Sequence, residues 1–126
     1  MSDNKANRFN FRAWHTKWRI WADSIQIIGV LFPEKDDAID PDWVLMQSTG
    51  LLDRNQKEIF EGDICRFGPG IIPSTYEILW DKTRWLGKHG KELIDLLLLQ
   101  KQSFDFASEY YCEVIGNCYE NPELLK

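Results

Sequence analysis

Turn-forming residues recur so often along this chain that few gaps between them are wide enough for a helix. Clusters of Gly, Pro, Asn, Asp and Ser fall at residues 33–41, 48–50, 53–56, 61–63, 68–70, 81–83 and 116–117. Each supplies a freely positive φ, a fixed φ or a side chain that bonds its own backbone. The segments between them are short, and several alternate apolar with polar residues, the pattern of strands with one face in the core and one in solvent. A mainly β fold follows.

The alternation is plainest at residues 8–14, where Phe9, Phe11 and Ala13 interleave with Arg8, Asn10 and Arg12. Residues 18–31, rich in Ile and Trp, read as two short strands or one strand bent by a bulge. The acidic stretch 33–41 reads as a solvated loop. Residues 43–47 resume strand character up to a turn at Gly50, a second turn spans 53–56, and a strand follows at 57–60. Glu61-Gly62-Asp63 kinks the chain before 64–67 continues. Strands are expected at 75–80 and 110–115, with a hairpin turn at 81–83. Residues 91–100, with leucines at 93, 96, 97, 98 and 99, fit both a helical face and a buried strand, and a short helix is preferred. Asn121-Pro122-Glu123 places a capping residue, a first-turn proline and an acidic residue at the start of a terminal helical turn.

A chain of 126 residues without repeats or a recognisable linker reads as a single domain, residues 1–126, that buries roughly two-thirds of the surface its unfolded form exposes. Six Trp, seven Phe and four Tyr exceed what a disordered chain tolerates. The net charge of -5 disfavours a dedicated double-stranded DNA binder, which needs Lys and Arg to neutralise phosphates. Three cysteines with no paired spacing and no leader peptide suggest reduced thiols in a cytoplasm. The longest apolar stretch falls far short of the ~20 residues that span a bilayer, so no membrane partner is expected.

Three stretches have a more specific character: FRAW at 11–14, MQSTGLLDRNQKEIFEGDI at 46–64 and EVIGNCYENPELL at 113–125. Together, and in this order, they resemble the YopX family. The resemblance implies a β-rich domain with an SH3-like barrel-type core around the EGDI segment and one or two short helices, encoded by bacteriophages or prophages, with no catalytic residues. It marks Gly50, Glu61, Gly62, Asp63, Gly116, Asn117, Asn121 and Pro122 as residues of architecture. This chain departs from the family pattern at Gln56, where a glycine is usual in the central turn, and at Phe60, where tyrosine is usual. Phe60 is a benign exchange, but glutamine accepts a positive φ poorly, so a loop longer than two residues is expected there.

The candidate chemistry is sparse. His15 and His89 are the only histidines, with neither an HExxH motif nor paired cysteines, so no metal site and no cofactor are expected. Cys112 reads as a small buried apolar residue, because nothing nearby in sequence would lower its pKa. Asp36, Asp37, Asp40 and Asp42 lack the glycine and closing glutamate of an EF-hand loop, and Gly68-Pro69-Gly70 lacks the lysine of a phosphate-binding loop. Glu61 and Asp63 would share one strand face and could act as paired carboxylates, but Gly62 between them favours a turn that fixes the strand's entry.

What remains is an N-terminal stripe in which Arg8, Arg12, Lys17 and Arg19 interleave with Trp14 and Trp18. Charge plus stacking is how non-specific single-strand binders work. The plainer account makes the aromatics core residues and the cations the solvent face of an amphipathic strand. Three functions therefore stand as expectations. The first is a non-enzymatic accessory protein in the host bacterial cytoplasm, binding a protein partner or self-associating as a homo-oligomer. The second is a nucleic-acid-binding module, disfavoured by net charge. The third is an enzyme with a dispersed carboxylate site.

Overall fold

The computed structural model describes residues 10–23, 27, 28, 30, 40–68, 75–96 and 111–125. Among them lie β1 (Phe11–His15), β2 (Ile20–Trp21), β3 (Trp43–Leu52), β4 (Glu58–Phe60), β5 (Asp63–Gly68), β6 (Thr75–Trp80), β7 (Trp85–His89), β8 (Glu92–Asp95), β9 (Tyr111–Asn117) and a 3-10 turn, Pro122–Leu125. The strands form a four-stranded sheet in the order β2-β1-β3-β4 and a five-stranded sheet in the order β8-β7-β6-β5-β9, with every pairing antiparallel. The expected mainly β class holds, with two antiparallel sheets of which one is half-barrel-like. No helix among the described residues is long and apolar enough to cross a membrane.

The principal core lies on one face of the five-stranded sheet, where Ile59, Cys65, Phe67, Tyr76, Ile78, Leu96 and Cys112 pack together with Leu51, Trp85, Ile94 and Val114 at their margin. Cys65 and Phe67 are two apart on β5 and therefore share a face, as do Tyr76 and Ile78 on β6. Phe67 and Ile78 are wholly buried, and full burial of side chains of this size contributes about 2 kcal/mol each. Cys112 belongs to this cluster as a small apolar residue.

Gly50 does not make the expected turn. β3 runs through it to Leu52, with Gly50 at φ 81 and the β3–β4 register shifting between Ser48 and Leu52. Two hydroxyls make the bulge tolerable. Ser48 Oγ accepts the Gly50 N–H at 3.1 Å, while Thr49 Oγ1 accepts the Leu51 N–H at 3.1 Å and donates to the Ile59 carbonyl at 2.8 Å. Amides displaced from the ladder by the extra residue thus find acceptors inside the strand itself.

The turn beyond β3 is five residues long, and buried Asp53 organises it. Asp53 Oδ1 accepts the N–H groups of Asn55 at 2.8 Å and Lys57 at 2.9 Å, and Oδ2 accepts the Val114 N–H of β9 at 2.9 Å. Gln56 adopts φ 65 all the same, so the longer loop does not spare it the left-handed conformation.

Two other segments depart from expectation. Among the described residues of 18–31 only Ile20 and Trp21 form a strand, while Ile27 and Ile28 are helical and the Ile27 N–H bonds to the Asp23 carbonyl at 2.9 Å. In 91–100, residues Glu92–Asp95 form β8 rather than a helix. Gly90 at φ 59 and Lys91 make a two-residue connection that folds β8 back on β7, from His89↔Glu92 to Leu86↔Asp95, and this pairing makes the start of the segment a strand, whereas Leu96 after it is helical. Residues 97–100, like residues 8 and 9 of the expected first strand and most of the loop at 33–41, lie outside the described residues.

Candidate functional site

All three family-like stretches converge on the corner Glu61-Gly62-Asp63, where the chain leaves one sheet and enters the other. Gly62 takes φ 86, donates its N–H to the Ile78 carbonyl at 2.8 Å and accepts the Cys118 N–H at 2.8 Å. A Cβ at this position would stand 3.1 Å from Met46 Sδ and 3.4 Å from Cys118 Sγ. Glycine is therefore required here both by conformation and by space.

Arg12, from the FRAW stretch, ties this corner down. Its Nη2 donates to Asp63 Oδ1 at 2.6 Å and to the Glu61 carbonyl at 3.3 Å, and Asp63 Oδ2 accepts the Phe60 N–H at 2.8 Å. The guanidinium lies against two aromatic faces, 4.8 Å from the centroid of Trp21 and 4.7 Å from that of Phe60. Burial pushes the Asp63 carboxyl above its usual range, opposed by the charge and hydrogen bond of Arg12 and by the Phe60 N–H. Both carboxylate oxygens are engaged, so Asp63 offers no free base to a paired-carboxylate reaction with Glu61. Its role is to hold the corner.

The C-terminal stretch is built on the same principle. Asn117 Oδ1 accepts the N–H groups of Tyr119 at 3.0 Å and Glu120 at 2.8 Å, and Asn121 Oδ1 accepts the Asn117 N–H at 3.2 Å. Asn121 folds across Gly116 so closely that a Cβ on Gly116 would lie 2.5 Å from Asn121 Oδ1. Pro122 then opens the 3-10 turn at a position where no amide is needed.

The N-terminal stripe divides under inspection. Arg12 and Trp14 face inward, Trp14 being buried and meeting Trp21 edge to face at 4.9 Å. Arg19 leans over Trp14, 5.7 Å from its centroid, and donates to the Tyr119 carbonyl at 3.4 Å. Arginines and tryptophans that alternate in sequence thus stack on one another within the fold. Lys17 and Trp18 are exposed, and Arg8 lies outside the described residues.

Sequence reasoning missed a second cluster, around His15. The imidazole is almost wholly buried, accepts the Trp18 backbone N–H on Nδ1 at 3.0 Å and meets Asp40 Oδ2 through Nε2 at 2.9 Å. An Nδ1 that accepts must be unprotonated, which makes Nε2–H the donor to Asp40. Trp18 stacks on the ring at a centroid distance of 4.0 Å and 10°, and Trp43 meets it edge-on at 4.7 Å. The Asp40 carboxyl lies below its usual range because Oδ1 accepts the Asp42 N–H and Oδ2 faces His15. The available signals were the three-residue spacing of His15 and Trp18 and the Asp-Pro-Asp sequence before β3.

Donor atoms of His15, Asp40 and Asp42 lie within 4.8 Å of one another, close enough to suggest a cation site. The imidazole does not fit one. A metal on Nε2 requires the proton on Nδ1, where it would face the Trp18 N–H. The cysteines are equally unsuited to nucleophilic work. A hydrogen bond with Cys112, followed by burial, raises the Cys65 thiol, and burial together with Glu77 pushes Cys118 up to about 11.

Comparison with known proteins agrees with the motif geometry. The family model described as YopX protein matches residues 15–126. No curated protein matches the chain. A crystal structure of the protein EF1440 from Enterococcus faecalis superimposes with a TM-score of 0.63 at 27% identity, over 92% of this chain and 96% of that one.

Proposed function

This chain belongs to the YopX family, and from that premise we propose that it is a non-catalytic accessory protein of bacteriophages and prophages. It works in the host cytoplasm by binding a protein partner or a second copy of itself. The observation that carries this reading is the apolar surface at the sheet ends. Ile20 on β2 and Leu93 on β8, the terminal strands of the two sheets, are 42% and 59% exposed, and Trp18 beside β2 is 59% exposed. Large apolar side chains beside end strands favour burial against another chain. The groups that could have served catalysis, Asp63, His15 and the thiols, are engaged inside the fold.

The test is affinity capture of the tagged protein from phage-infected cells, with and without nuclease, alongside a solution mass at micromolar concentration. A defined partner recovered after nuclease treatment, or a dimeric mass, supports the reading. A monomer that recovers nothing under either condition overturns it.

The exposure of Lys17 and Trp18 supports a second reading, a weak contact with single-stranded nucleic acid. That reading requires retardation of an oligonucleotide at low salt that is lost on Trp18→Ala.

A further inference from the structure

We propose that His15 and Trp18 form an acid-released latch: a proton taken up at His15 Nδ1 breaks the hydrogen bond from the Trp18 backbone N–H and releases that amide, leaving both sheets folded. The inference goes beyond the functional reading above and does not depend on it.

The argument begins with the two ring nitrogens. In the structure Nδ1 is the acceptor for Trp18, which makes Nε2–H the donor to Asp40. Protonation places an N–H on Nδ1, directed at another N–H 3.0 Å away. Two donors cannot share that line, so either the imidazole or the Trp18 backbone must move.

Several contacts decide which one moves. The imidazole is 1% exposed, Trp43 stands against its edge, and its Nε2–H to Asp40 becomes charge-assisted once the ring is cationic. Asp42, whose carboxylate lies within 4.8 Å, holds the cation in the same sense, while Lys17 on the turn opposes it. The second cation of the turn, Arg19, is directed away toward Trp14 and Tyr119. Trp18 is by contrast 59% exposed, so its amide can exchange the ring nitrogen for water. The Arg19 N–H on the His15 carbonyl at 2.7 Å, the Thr16 N–H on the Asp42 carbonyl at 2.9 Å and the Trp18 ring stacked on the imidazole keep the rest of the turn in place. The ring stays and the Trp18 amide lets go.

Nuclear magnetic resonance of the wild-type chain, titrated from about pH 8 to about pH 5, tests this. Three quantities are followed: the protonation state of His15 Nδ1, the hydrogen-exchange protection of the Trp18 amide corrected for intrinsic rate, and the protection of core amides such as Ile64 and Ile78. The expected result is a loss of about tenfold in Trp18 protection that tracks His15 protonation while the core amides hold. His15→Asn, which keeps an acceptor near the Nδ1 position without a titrating ring, should flatten the response. Trp18 protection that persists through His15 protonation overturns the proposal, as does an Nδ1 already protonated at neutral pH. Simultaneous loss at Ile64 and Ile78 also overturns it, since acid would then be unfolding the sheets rather than releasing a latch.

Discussion

Arg12 Nη2 stands 2.6 Å from Asp63 Oδ1, joining a strand of the four-stranded sheet to a strand of the five-stranded one. The Asp63 side chain is 2% exposed and that of Arg12 20%. Removing the cation alone leaves a buried carboxylate with the Phe60 N–H but no counter-charge, so Arg12→Met should cost about 3 kcal/mol in urea unfolding at neutral pH. Replacing both residues, as Arg12→Met with Asp63→Leu, should recover a substantial part of that loss.

The same pair sets a pH dependence whose sign follows from linkage. Burial raises the folded carboxyl of Asp63 above its unfolded value. A raised pKa contributes stability that is fully present below the unfolded pKa and is lost as pH rises through the folded pKa. Without Arg12 the carboxyl is raised further, so the deficit of Arg12→Met relative to wild type should shrink between about pH 7 and about pH 4. Urea midpoints of the two proteins across that interval check it, and a deficit that widens in acid would contradict the assignment.

Asp81 runs the other way. Its Oδ1 accepts the N–H groups of Thr83 and Arg84 at 3.0 and 2.8 Å in the β6–β7 turn, and these bonds hold its carboxyl below the ordinary aspartate value. A depressed group stabilises above the unfolded pKa and ceases to do so as pH falls through the folded one. Asp81→Ala should therefore melt below wild type at neutral pH, with the two melting curves converging as the pH falls below 3.8.

Gln56 sits at φ 65 where a glycine would carry no left-handed penalty. That penalty is about 1–2 kcal/mol for a residue with a Cβ. The greater backbone freedom of an unfolded glycine offsets about 0.4–1 kcal/mol of the relief. Gln56→Gly should thus raise the urea midpoint by the equivalent of roughly 0.5–1 kcal/mol, with an unchanged slope.

Gly116 and Asn121 should prove coupled. Gly116→Ala drives a methyl group to 2.5 Å from Asn121 Oδ1 and should cost about 1–3 kcal/mol. Asn121→Ala clears that space but leaves the Asn117 N–H without its partner. The double variant should be more stable than the sum of the two losses implies, by about 1 kcal/mol, in a double-mutant cycle read from equilibrium unfolding.

Much of the fold was legible because turn chemistry is local. Gly62, Asn117 and Asn121 do with neighbouring backbone what their residue types suggest, and the strand at 75–80 follows from alternation between such turns. β9, expected to stop at residue 115 before a turn at 116–117, instead runs through Gly116 and Asn117 because these pair with Ile64 and Asp63 of β5. Gly50 was misread because Ser-Thr-Gly also describes a bulge, and only the pairing of β3 with β4 distinguishes the two. The leucine-rich segment was misread at its start because β7 supplies the partner for Glu92–Asp95, a contact that no periodicity within 91–100 encodes. The candidate site was less legible still. Arg12 and Asp63 are 51 residues apart, and a buried cation stacked on Trp21 carries the same sequence signature as one waiting for a phosphate. His15 needed Asp40, which lies beyond an intervening segment, before its ring could be read as structural.

The loop organised by Asp53 also limits how copies of this protein could join. It closes the outer side of β9, with the Arg54 N–H on the Cys112 carbonyl and the Val114 N–H on Asp53 Oδ2. At Cys112 and Val114 that end of the five-stranded sheet cannot accept another strand. Among the described strands that leaves β8 as the other end of this sheet. Joining like end to like end exhausts itself after two molecules, whereas an endless fibre needs two complementary open ends. In any assembly of copies through this sheet, the hairpin loop would act as a chain terminator.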